Sequence, residues 1–151
     1  MSEFGLRWEM TVASAHRSPA RVARLVDEAH ARGVKVFVVG AGAAAHLAGV
    51  VAAHTTRPVI GVPIDSSALK GLDALLSTVQ MPPGVPVATV AIGRPGATNA
   101  GVLAAQMIAL GDPAMAQMLV EYKKKLEEKV EAAARRLGEQ PGTASKLSGS
   151  P

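Results

Sequence analysis

At 151 residues, 48% hydrophobic but only 3% aromatic, the chain has the length of one domain with a continuous core, and its small side chains suit helices packed closely on a sheet. So few aromatics exclude a stacking surface for nucleic acid, and the absence of cysteine excludes disulfides, thiolate catalysis and cysteine-based metal sites. The net charge of +4 does not form a patch: Lys123, Lys124, Lys125, Arg135 and Arg136 are interleaved with Glu121, Glu127, Glu128 and Glu131, the pattern of a solvated helix face.

Residues 8–14 alternate in character and predict a short strand. Ser18-Pro19 then predicts a helix start, with Ser18 as cap and Pro19 in the first turn. Val22, Leu25, Val26 and Ala29 give that helix one apolar stripe, and Gly33 ends it. A nearly continuous Val and Phe run over 34–39 predicts a strand buried on both faces of a parallel sheet. Residues 40–45 form the next turn and open a helix reaching about Thr55.

A third strand is expected over 59–64, a polar turn at Asp65-Ser66-Ser67, and a helix over 69–79. A fourth strand covers 85–92, with Pro86 near its start, where a missing donor is tolerated. After Gly93-Arg94-Pro95-Gly96 comes a helix over 98–110, and Asp112-Pro113 caps a last helix extending to about 137. Leu119, Tyr122, Leu126, Val130, Ala133 and Leu137 draw an apolar stripe along it. That stripe needs a covering surface, either this chain's core or a neighbouring subunit. The alternation predicts a right-handed parallel α/β fold, a three-layer sandwich over 1–137 with a disordered tail at 138–151. Residues 1–9 do not read as a signal peptide, and the apolar runs fall short of the roughly 20 residues of a membrane span, so a soluble cytoplasmic protein is expected.

Two stretches carry the chemistry, each at a strand-to-helix junction where open α/β sheets bind ligands. Ser14-Ala15-His16-Arg17 brings a hydroxyl, an imidazole and a guanidinium together, enough to hold an anion and move a proton. The blander readings are a structural histidine and a surface cation. Gly40-Ala41-Gly42-Ala43-Ala44-Ala45-His46-Leu47 offers bare backbone for close approach of a flat or phosphorylated ligand, and His46 is equally a ligand contact or a brace for its loop. His30 and His54 have no acidic or metal-spaced partners and read as structural. The second stretch is only half a dinucleotide fingerprint, since Ala45 takes the third glycine position and no acid follows in the right context. No phosphate-binding Gly-Lys-Ser/Thr loop and no Gly-x-Ser-x-Gly serine elbow is present.

Taken together, Ser-Ala-His-Arg-Ser-Pro at 14–19, Gly-Ala-Gly-x-Ala-Ala-His-Leu at 40–47, Pro-Val-Ile-Gly-Val-Pro at 58–63, and the runs at 71–82, 86–93 and 99–106 resemble the N5-carboxyaminoimidazole ribonucleotide mutases of purine biosynthesis. The resemblance covers about 4–110 and implies a flavodoxin-like sheet and an isomerase that moves a carboxylate from the exocyclic nitrogen of its ribonucleotide to C4 of the imidazole. It implies no metal or organic cofactor. Decarboxylation would leave aminoimidazole ribonucleotide and trapped carbon dioxide, which C4 then attacks. His16 matches the catalytic histidine, which protonates the departing nitrogen and later takes the C4 proton, a role suited to a group with an unperturbed pKa near 6.5. Ser14 and Arg17 match positions around the phosphate. Gly40, Ala41, Gly42, Ala44, His46 and Leu47 match the loop that closes over the imidazole. The resemblance further implies a homo-octamer with shared sites and no nucleic-acid or membrane partner.

Three departures stand out. Ala43 replaces a usual glycine and Ala48 a usual proline, both small changes in volume. The family pattern also has a strand, a Gly-Ser-x-Ser-Asp loop and a helix ahead of the strand at 8–14, and here only seven residues precede Trp8. A shortened chain with greatly reduced activity is therefore expected unless a neighbour supplies that loop. Its sheet would have a gap, an unpaired amino-terminal strand, or a direct pairing of 8–14 with 34–39. Two other functions stay open: a carboxylase acting on aminoimidazole ribonucleotide and carbon dioxide directly, and a non-catalytic assembly subunit.

Overall fold

The computed structural model describes residues 2–138; the expected tail falls, beyond Gly138, outside them. A 3-10 turn (Ser2–Phe4) is followed by α1 (Pro19–Ala31), β1 (Phe37–Gly42), α2 (Leu47–Ala53), β2 (Val59–Ile64), α3 (Leu72–Val79), β3 (Ala88–Thr89), α4 (Gly93–Ala109) and α5 (Pro113–Gly138). The strands form one parallel sheet in the order β1-β2-β3, with Phe37 opposite Val59, Gly42 opposite Ile64, and Ile60 opposite Ala88.

β2 is the spine of the sheet because Val-Ile-Gly-Val-Pro-Ile has an apolar or absent side chain for both faces, and it is buried except at Ile64. Its side chains alternate between faces. On one side, Val59 joins Val39 of β1, Val22 and Val26 of α1, and Ala48 and Val51 of α2. On the other, Ile60 and Val62 pack on Ala100 and Ala104 of α4. A third cluster of Phe4, Ala105 and Met115 fastens the amino-terminal turn and α5 to α4. The result is the expected three-layer α/β sandwich, with small side chains setting the distance between layers.

The strand ends depart from expectation for identifiable reasons. The strand expected over 85–92 shrinks to Ala88–Thr89, extended by one bond from the Val90 N–H to the Gly61 carbonyl. In a parallel ladder the next donor on that side of β2 would be residue 63, which is proline and has none. Pro86 removes a donor at the other end. The strand expected over 34–39 starts at Phe37 and runs on through Gly42, so Gly40, Ala41 and Gly42 belong to β1 and not to a turn; they pair with Val62, Pro63 and Ile64. Nor is β1 buried on both faces: Val39 alone in it is buried, and Val38 is 37% exposed, because β1 is an edge strand.

The strand expected over 8–14 is absent. This segment has no ladder partner, and Trp8, Met10 and Val12 are exposed. Of the three arrangements considered for the sheet edge, the structure has the unpaired segment, whose Val12 carbonyl accepts from Arg21 Nε at 3.1 Å. α4 begins at Gly93, five residues early, and α2 and α3 are shorter at both ends or at the start than their apolar runs suggest.

At the caps, Ser18 makes no side-chain bond to the start of α1. Asp112 does cap α5, its Oδ1 accepting from the Met115 N–H at 3.1 Å. Along α5, Leu119 and Tyr122 pack on the third cluster, whereas Leu126 and Val130 farther along the stripe are exposed.

Candidate active site

The segments that end β1 and β2 and the turn that opens α1 meet at one end of the sheet, the carboxyl end of its parallel strands, where backbone groups and helix starts are left without ladder partners. The first contributor is the turn 14–18. The Ser14 carbonyl accepts from the Ser18 N–H at 3.0 Å and from the Ser18 hydroxyl at 3.1 Å, while the Ser18 Oγ accepts from the Ser14 N–H at 3.1 Å. The Ser14 Oγ in turn accepts from the Arg17 N–H at 3.1 Å. Ser18, expected as a helix cap, thus closes the turn instead. These four bonds hold His16 and Arg17 outward on a rigid turn, both exposed.

The second contributor leaves β1 at Gly42. Ala43 takes a left-handed conformation, φ +52°, to reverse the chain, and Ala45 is buried as the anchor beneath it. His46 precedes the first turn of α2, its carbonyl accepting from the Val50 N–H, and Leu47 turns toward the first core cluster. This geometry carries the two histidines together. His16 Nε2 lies 2.8 Å from His46 Nδ1, with ring centroids 4.9 Å apart and planes at 78°. Such a bond requires one nitrogen to carry a proton and the other to be bare. It leaves His16 Nδ1 and His46 Nε2 without a hydrogen-bond partner among the described residues. The two chemical stretches, thirty residues apart in sequence, therefore make one imidazole pair.

A third contributor was not singled out from the sequence. Ser66, after β2, lies against Gly42, where a Cβ would strike its side chain and come within 3.2 Å of the Ile64 carbonyl. Asp65 lies beside Gly71 and Gly93, the latter at the start of α4. The usable signal was position: among the described residues, Asp65-Ser66-Ser67 is a polar run directly after a strand, β2. His30 bonds Thr55 Oγ1 at 2.6 Å between α1 and the end of α2, the structural role expected of it. The described cavities of about 410 and 790 Å³ lie elsewhere, and His16 and His46 line neither. Among the described residues no group of three or more metal-ligating side chains converges.

The chain as a whole is similar to known proteins. A family model described as AIR carboxylase matches residues 1–129. The chain belongs to the AIR carboxylase family. Within that family it is 50% identical over 137 residues to a Thermotoga maritima protein named N5-carboxyaminoimidazole ribonucleotide mutase, covering 91% of this chain and 79% of that one. It is 51% identical over 139 residues to a Methanocaldococcus jannaschii protein of the same name, covering 92% and 85%. Its fold matches the crystal structure of Treponema denticola PurE with a TM-score of 0.81 and 27% identity, over 90% of this chain and 84% of that one. The family's fold is therefore this chain's fold, a parallel flavodoxin-like sheet with a long carboxy-terminal helix.

Proposed function

We propose that the chain is an N5-carboxyaminoimidazole ribonucleotide mutase that moves carboxylate from the exocyclic nitrogen to C4 of the imidazole in purine biosynthesis. Family membership and the names of relatives at half identity support this reading. The observation that carries it is the His16–His46 contact beside Arg17. As the exocyclic N–C bond breaks, His16 gives a proton to the nitrogen and carbon dioxide is released. C4 then attacks that carbon dioxide, and the C4 proton returns to His16, so protons balance over the cycle. His46 fixes which nitrogen of His16 is engaged and which is left to exchange a proton. Arg17 takes the ribonucleotide phosphate. Ser14, whose oxygen already accepts from the Arg17 N–H, keeps its own proton to donate. Gly40, Ala41, Gly42 and Ala44 present backbone to the ring, and Leu47 holds this loop by packing inward. The chemistry assigned to these residues calls on no cofactor.

Carbon dioxide must not escape between the two steps, so the reaction needs a closed site. His16 and His46 are exposed in the single chain. We infer that a second copy closes the site within a homo-octamer, the exposed Leu126 and Val130 of α5 supplying part of the contact. On this reading residues 1–137 work as one domain, in the cytoplasm. The test supplies N5-carboxyaminoimidazole ribonucleotide, or aminoimidazole ribonucleotide with carbon dioxide, each without ATP. Conversion of the first at low substrate concentration supports the mutase; conversion of the second alone makes the chain a direct carboxylase. Light scattering gives the mass of eight chains if the assembly is right.

A further inference from the structure

The two histidines of the site face each other through nitrogens that share one proton. His16 Nε2 lies 2.8 Å from His46 Nδ1, and a hydrogen bond between neutral rings needs N–H on only one of the two. Each neutral imidazole has a second nitrogen, and a proton moved there leaves the first bare. With one proton on His16 Nδ1 and the other on His46 Nε2, two lone pairs point into one gap. They repel each other unless a proton or a cation lies between them.

The backbones that carry these rings are already held. The turn 14–18 beneath His16 is closed by the bonds between Ser14, Arg17 and Ser18. The His46 N–H donates to the Ala44 carbonyl at 2.9 Å, and the His46 carbonyl accepts from the Val50 N–H at 3.0 Å. The two rings are 30 residues apart in sequence, so folding has already overcome the entropy of bringing them together. Bonds of about 2.0–2.1 Å from two imidazoles to one metal ion, at a tetrahedral angle, set the nitrogens about 3.3 Å apart. The pair has to open by only about 0.5 Å from its 2.8 Å contact, a swing of two side chains on fixed backbones.

We propose that His16 and His46 form an exchangeable, inhibitory site for a transition-metal dication such as Zn2+, with water completing the coordination. Two protein ligands are fewer than a tightly held zinc ion has, so the ion comes and goes. Imidazole nitrogen selects Zn2+, Cu2+ or Ni2+ over Mg2+, which prefers oxygen, and the guanidinium of Arg17, next in sequence to His16, disfavours a cation held by charge alone. Metal binding stands apart from the catalytic reading, but inhibition rests on it. With the metal on Nε2, His16 keeps its N–H at Nδ1 and has no bare nitrogen left to take the C4 proton.

The test adds ZnCl2 to the full chain and follows the ring signals of its four histidines, labelled with 13C, by NMR, with calorimetry for affinity and stoichiometry. One Zn2+ per chain is expected, with the His16 and His46 signals moving together and those of His30 and His54 unmoved. His16→Asn and His46→Gln should each weaken binding at least about tenfold, the least that disturbing the surroundings of a metal ligand costs, while His54→Gln binds as the parent does. MgCl2 at the same concentration should shift nothing. Carboxylate transfer should stop as the two signals move and return when a chelator is added. No binding at millimolar Zn2+, movement of the His30 or His54 signals instead, or unchanged affinity in both site variants would overturn the proposal. So would undiminished transfer with Zn2+ bound. A chain that binds Zn2+ as described but transfers no carboxylate even without metal would support the metal site and refute the mutase reading.

Discussion

Gly61→Ala tests whether layer spacing depends on missing side chains. Gly61 lies mid-β2, where α3 crosses; a Cβ there would strike the Thr78 side chain and come within 2.9 Å of Val87 Cγ1 and 3.5 Å of Ala48 Cβ. Thr78 cannot easily yield. It is 2% exposed, and its Oγ1 donates to the Ala74 carbonyl at 2.7 Å, which fixes the rotamer that points its methyl at Gly61. Overpacking of this kind costs about 1–3 kcal/mol, and contacts on both sides place Gly61→Ala in the upper half of that range. At about 2–4 °C per kcal/mol for a domain of this size, Tm should fall by roughly 5–10 °C. Urea unfolding followed by circular dichroism should show a lower midpoint at unchanged slope. Gly40→Ala is the control, because its Cβ would meet only the Ile64 side chain, Cδ1 at an ordinary 3.5 Å and Cγ1 at 3.8 Å. Thr78→Ser in the Gly61→Ala background keeps the hydroxyl and removes the offending methyl, so it should restore part of the loss, a coupling visible in a double-mutant cycle. A Gly61→Ala midpoint equal to that of the parent, or no coupling to Thr78, would refute the reasoning.

Two further substitutions follow from backbone geometry. Ala43 holds φ +52°, a conformation that costs a residue with a Cβ roughly 1–2 kcal/mol, so Ala43→Gly should raise stability by up to about 1 kcal/mol after the added entropy of the unfolded chain, read as a higher Tm. Asp112→Ala removes the bond to the Met115 N–H and should cost about 1 kcal/mol, with loss of helical signal confined to the start of α5 in amide exchange. At the site, Gly42→Ala should drive Ser66 away and reduce turnover more than stability, and adding Ser66→Gly should recover turnover; no recovery would show that the contact does not shape the site.

The layer order and most helices were legible because they follow from local rules. The 3.6-residue stripe of α1, the all-apolar β2 and the Asp112 cap each specify their element without reference to distant residues. Misreadings arose where pairing decides. Residues 8–14 have the composition of a strand, yet a strand exists only with a neighbour, and β1 gives it none. The short β3 depends on Pro63, a residue of another strand. Gly40, Ala41 and Gly42 read as a loop because glycine and alanine suggest turns, but pairing with Val62, Pro63 and Ile64 extends β1 through them. At the site, the sequence pointed separately to His16 and His46. Their contact needs the tertiary fold, because the turn at 14–18 and the left-handed Ala43 both have to be in place. Ser66 was missed because an Asp-Ser-Ser turn has no chemical signature beyond polarity.

The central claim is that His16, held by His46, carries the proton through the carboxylate transfer. The most direct measurement follows 13C-carboxylate-labelled N5-carboxyaminoimidazole ribonucleotide by NMR, without ATP, with the parent chain and with His16→Asn, whose assembly and melting are checked alongside. The account predicts label appearing on C4 with the parent and none above the uncatalysed rate with His16→Asn, at equal stability and oligomeric mass. Label transfer by His16→Asn at the parent's rate would contradict it.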